Sequence, residues 1–131
     1  QANELFRRMC FNALISNTDD HPRNHAIIAK DRDWKLSPAY DLTPSAPVSL
    51  EQRDLALTCG DQGRFANMEN LLSQCERFLL NREEAEAIIA EMQEAVGKSW
   101  YTVMRSTGVT ERDCDLLKGA FVYPGFRQSR P

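Results

Sequence analysis

The stretch from Asn81 to Gly108 constrains the fold more than any other, because it can become little besides one long amphipathic helix. Asn81 followed by Glu84 has the spacing of a capping box, in which each side chain accepts a backbone N–H of the other residue. Ala85, Ile88, Ile89, Met92, Val96, Trp100 and Val103 then recur at steps of three and four, drawing one apolar face. Gly108 supplies the stop. Such a helix gains its stability by laying that face on other elements. Similar stripes are at hand: Leu5, Phe6, Met9, Cys10, Ala13 and Leu14 within residues 3–15; Met68, Leu71, Leu72, Cys75, Phe78 and Leu79 behind a capping Asn67; Leu116, Leu117 and Ala120 behind Thr110. The stripes predict a mainly α (α+β) single domain over residues 1–131, a helical bundle around one core, with a tail from Tyr123 to Pro131 that frays.

Between the first two stripes the pattern changes. Ser16-Asn17-Thr18-Asp19-Asp20 are residues that prefer caps and turns, and Pro22 makes this stretch a loop. Ala26 to Ala29 and Trp34-Lys35-Leu36, separated by the turn-rich Lys30-Asp31-Arg32-Asp33, read as a small β-hairpin. Pro38, Pro44 and Pro47 leave residues 37–54 as an ordered loop, and Gly60 and Gly63 flank a turn.

The net charge of −3 and pI near 5.4 give no footprint for direct nucleic-acid binding. No run reaches the roughly 20 apolar residues of a membrane helix, and the start carries no signal-peptide pattern. The chain opens on Gln1 rather than Met and leads straight into a helical pattern, as a piece of a longer protein does. Cys10, Cys59, Cys75 and Cys114 form no Cys-x-x-Cys pair, and a reduced, cytoplasmic protein is the expectation.

The chemistry concentrates in Asn17-Thr18-Asp19-Asp20-His21-Pro22-Arg23-Asn24, a polar loop holding an acid, an imidazole, a guanidinium and a carboxamide. Beyond the hairpin follows Leu36-Ser37-Pro38-Ala39-Tyr40-Asp41-Leu42, with another acid. A hairpin returns its ends to one neighbourhood, so Asp41 can approach Asp19 and Asn24. Phosphoryl transfer from ATP needs a carboxylate to take the proton of the attacking hydroxyl and oxygen ligands for magnesium. An Asp-x-x-x-x-Asn loop with a separate Asp past a hairpin meets both needs, with Asp19 as general base and Asn24 and Asp41 on the metal.

Together with Phe11-Asn12-Ala13-Leu14-Ile15 ahead of them, these two segments resemble the paired signature of HipA-like serine/threonine kinases, bacterial toxins of toxin–antitoxin modules with a divergent kinase fold. The resemblance spans residues 3–45, and the later helices agree in class. It implies a protein-kinase-like C-terminal lobe, Mg2+ and ATP, a protein substrate phosphorylated on Ser or Thr, and a HipB-like DNA-binding antitoxin as partner. It places the catalytic aspartate on Asp19 and the metal and nucleotide ligands on Asn24 and Asp41. With the resemblance, His21 is expected to assist near the transferring phosphate, Asp20 and Arg23 to position the loop, and His25 to pack at the hairpin entrance. The family's nucleotide lobe has no counterpart here: Gly60-Asp61-Gln62-Gly63 is not a phosphate-covering loop, and no lysine lies on a suitable strand. The chain alone is therefore expected to be inactive.

Two rival readings remain. Asp19, Asp20, His21 and His25 could form a zinc site, against which Pro22 and the turn residues argue, since the four-residue spacing of the histidines needs a helix. The chain could instead be a non-catalytic interaction module for an antitoxin-type partner.

Overall fold

Asn81 caps its helix as the spacing predicts. Its side chain accepts from Glu84 N at 2.8 Å, and the Glu84 carboxylate accepts from Asn81 N at 3.0 Å. The computed structural model, which describes residues 1–46 and 49–128, runs α1 (Ala2–Leu14), β1 (Ile27–Lys30), β2 (Asp33–Leu36), α2 (Met68–Ser73), α3 (Arg82–Ser106) and α4 (Glu111–Leu117). Short 3-10 turns lie at Pro22–Asn24, Cys75–Phe78, Lys118–Ala120 and Pro124–Phe126. Helices and 3-10 turns make up about half of the chain, beside one antiparallel two-stranded hairpin. No helix among the described residues is long and apolar enough to cross a membrane.

The core forms where α1 lies against α3. Phe6, Cys10, Ala13 and Leu14 of α1 meet Ala85, Ile88, Ile89 and Val96 of α3, and Leu71 and Leu72 of α2 close the cluster. Near the far end of α3, Trp100 stacks on Phe121 with ring centroids 4.6 Å apart. The predicted stripe fades there, since Val103 is exposed. On α4 the inward residues are Cys114 and Leu117, while Leu116, predicted to be inside, points outward.

The helix predicted from Met68 to Leu79 is broken. Asn67 caps it as expected, accepting from Glu69 N at 3.0 Å, but the α-helical part ends at Ser73. A 3-10 turn follows, and Leu79 takes the left-handed conformation at φ 62°. The break turns Phe78 onto Phe6, ring centroids 5.5 Å apart, and brings Leu80 inside while leaving Leu79 exposed. Two good core contacts outweigh one exposed leucine.

The tail from Tyr123 does not fray as predicted. Tyr123 and Phe126 are fully buried, and burying an aromatic ring contributes roughly 1.5–3 kcal/mol, which needs no periodicity in the sequence. The Tyr123 hydroxyl donates to Ala66 O, the Arg53 guanidinium lies 4.8 Å over its ring, and Asn67 donates to Gly125 O at 3.1 Å and Gln128 O at 2.6 Å. The expectations for Pro47 and for residues 129–131 lie outside the described residues.

Candidate active site

The loop begins with a Schellman termination of α1. Ser16 takes the left-handed conformation at φ 55°, its N–H reaches Ala13 O at 3.4 Å, and Asn17 N reaches Asn12 O at 2.9 Å. Glycine usually holds this position. Here Ser16 Oγ donates to Ala120 O at 2.6 Å, and the buried Asn17 side chain donates to Asn12 Oδ1 at 3.0 Å. The direction in which the chain leaves the helix is thereby fixed.

β1 and β2 pair in the register Ile27↔Leu36 to Lys30↔Asp33, across a two-residue turn, Asp31-Arg32, with both φ values positive. The hairpin returns the chain to the loop, where polar bonds join the two segments. Ser37 N reaches Ala26 O at 2.8 Å, and Tyr40 Oη donates to Arg23 O at 2.7 Å. Asn24 Nδ2 donates to Asp41 Oδ2 at 3.0 Å. The Thr18 and Ser45 hydroxyls lie 2.9 Å apart, and Ser45 N reaches Ser16 O at 3.0 Å. Residues 16–24 and 37–45 therefore run past each other as a ladder. Arg8 of α1 steadies its base, donating to Ser37 O at 2.6 Å.

The predicted residues take distinct places on this ladder. Asn24 is buried and bonded to Asp41, which is exposed and left-handed at φ 58°. Asp is one of the few residues that tolerate this conformation. Asp19 is exposed on the same loop, between the Thr18 and Arg23 rungs, and its carboxylate makes no hydrogen bond among the described residues. His21 is half-buried at the start of the 3-10 turn, with its Nδ1 enclosed and unpartnered. Arg23 contributes its backbone carbonyl rather than its guanidinium.

Asp20 and His25 form a pair that the sequence did not announce: His25 Nε2 lies 2.8 and 3.0 Å from the two Asp20 oxygens. His25 was expected only to pack. The zinc reading is corrected here, because two of its four residues satisfy each other and no group of three or more His, Cys, Asp or Glu among the described residues is disposed to hold a metal. The Asn24–Asp41 contact suits a different ion. Magnesium is commonly held by one or two protein oxygens and completes its shell with water and phosphate oxygens. With Asn24 Nδ2 turned to Asp41 Oδ2, the amide oxygen and the second carboxylate oxygen make no hydrogen bond among the described residues and remain available.

Comparison with known proteins extends the match beyond this site. A segment of 54 residues, 40% of this chain, is 44% identical to a Sinorhizobium fredii protein named "Putative kinase Y4dM". The matched segment is 13% of that relative's length. The family model described as "HipA-like C-terminal domain" matches residues 1–100, which contain the loop, the hairpin and most of α3. The chain belongs to the family of HipA-like C-terminal domains.

Proposed function

We propose that this chain is the catalytic-loop lobe, with a divergent protein-kinase-like architecture, of a cytoplasmic kinase that transfers the γ-phosphate of ATP to a serine or threonine hydroxyl of a protein. The observation that carries the reading is the 3.0 Å bond between Asn24 and Asp41, which brings together two oxygen-bearing side chains 17 residues apart on a loop that also presents Asp19. Asn24 and Asp41 would hold Mg2+, which when bound would neutralise negative charge on the phosphates. Asp19, unpaired and exposed, is free to accept the proton of the attacking hydroxyl. His21 stands two residues beyond it, where an imidazole can face the phosphate. The kinase name of the Sinorhizobium relative supports the reading.

Nothing in the described residues covers a nucleotide, so turnover requires a further lobe, and the chain alone is inactive. Membership of the HipA-like family supports a toxin role in the same reading, with a HipB-like DNA-binding antitoxin as partner. The test is Asp19→Asn in the full-length protein. Loss of the base removes about 10²–10⁴-fold of phosphate transfer. Stability moves by no more than about 0.5 kcal/mol, since the side chain is exposed and unbonded. A variant that phosphorylates as fast as the unmodified protein refutes the assignment of the base.

A further inference from the structure

We infer that the Asp20–His25 pair is a positioning device that holds Asn24 against Asp41. The inference rests on the kinase reading of that site. Asp20 and His25 are five residues apart, and so are Asp19 and Asn24, one position earlier on the same loop. Closing the first pair therefore limits how far the loop between Asp19 and Asn24 can open. The Thr18–Ser45 bond holds one end of the loop, and the Arg23 and Asn24 bonds hold the other. Between them, at residues 19–22, the Asp20–His25 bond is the side-chain tie observed among the described residues.

The pair is well placed for this work. The side chains are 15% and 24% exposed, so water competes weakly for their hydrogen bonds. The His25 Nδ1 is enclosed without a partner. The tautomer with its proton on Nε2 donates to the carboxylate and leaves only a bare lone pair at Nδ1, which avoids burying an unpaired N–H. The pair borders a cavity whose wall includes Leu5, Met9 and Asn12 of α1, while the neighbouring Asn24 side chain bonds to Asp41. Successive residues thus act in two directions, Asn24 bonding across to Asp41 and His25 closing the loop on Asp20, and neither His25 nor Asp20 has to touch a reacting atom.

The test uses this chain in solution and reads the Asn24 side-chain amide by NMR. In His25→Leu the exchange of that amide with water should rise by about fivefold or more, the bias expected when a partly buried charge-assisted hydrogen bond is lost. Asp20→Ala, which opens the pair from the other side and keeps the imidazole in place, should raise it equally. His25→Gln, whose amide nitrogen donates at a similar reach, should stay within about twofold of the unmodified chain. A merely structural role would lower the melting temperature of the variants and leave Asn24 exchange unmoved. Exchange within twofold in both His25→Leu and Asp20→Ala overturns the inference. Mn2+, used as a paramagnetic probe in place of Mg2+, separates the two claims. Failure to broaden the Asn24 and Asp41 signals in the unmodified chain counts against the metal reading, whereas the exchange measurement judges the positioning role alone.

Discussion

Asn67 joins two parts of the chain that its sequence keeps apart, and replacing it should show how strongly. One buried side chain accepts from Glu69 N and donates to the carbonyls of Gly125 and Gln128. Asn67→Ala loses the cap, about 1 kcal/mol, and two hydrogen bonds of about 0.5–1.5 kcal/mol each, for a total of roughly 2–4 kcal/mol. At about 4 °C per kcal/mol for a chain of this size, the midpoint should fall by roughly 8–16 °C. Asn67→Asp sharpens the test. It keeps the cap acceptor but turns a carboxylate toward two carbonyl oxygens in a buried site, so at pH 7 it should be less stable than Asn67→Ala. The fold raises the pKa of that introduced carboxyl, so its penalty is absent in acid and grows as the pH rises through the folded-state value. Urea and thermal denaturation followed by circular dichroism at pH 4.5 and pH 7 would show this crossing. An Asn67→Asp protein as stable as the unmodified chain at pH 7 refutes the reasoning, as does a loss below about 1 kcal/mol for Asn67→Ala.

Gly60→Ala and Gly97→Ala should move stability in opposite directions. A Cβ at Gly60 would lie 1.9 Å from the Asn70 carbonyl oxygen, a backbone atom, so a loss of about 3 kcal/mol or more is expected in urea melts. At Gly97, within α3, a Cβ meets nothing within 4 Å, and alanine should add about 0.5–1 kcal/mol. The thiols should resist alkylation until the chain unfolds, because all four cysteines are buried and burial pushes the Cys10 and Cys59 thiols up, Cys59 to about 11. A folded-state pKa above the ordinary thiol value of 9.0 means that the Cys59 contribution is intact below pH 9 and is lost as the pH climbs through about 11. Iodoacetamide labelling and alkaline denaturation curves measure the two effects.

Elements set by local chemistry were legible in the sequence. The Asn81 capping box, the Asn67 and Thr110 caps and the hairpin turn each satisfy neighbouring backbone groups with residues a few positions away. The Asn24–Asp41 contact was legible too, since a hairpin must bring its two ends together. What remained hidden depends on distant partners. The break at Gln74 serves the Phe6–Phe78 and Leu80 contacts, and the tail is held by Ala66, Asn67 and Arg53, more than 50 residues away. His25 gave no sign of its partner, because a five-residue spacing faces a defined direction only once the 3-10 turn between has formed.

The left-handed backbone at Asp41 carries a consequence for how such a site can decay. Its φ of 58° admits Asp, Asn and Gly readily and strains β-branched residues. On the proposed reading, two independent pressures choose the residue at position 41, one from chemistry and one from the shape of the chain. On that reading Asn, whose amide oxygen can still accept from Asn24, would end the chemistry and leave the ladder standing, whereas Val or Ile would disturb both. If the proposed kinase reading holds, a descendant that abandons catalysis for binding has an easy route, and an Asn at this position in an otherwise intact loop would be its trace.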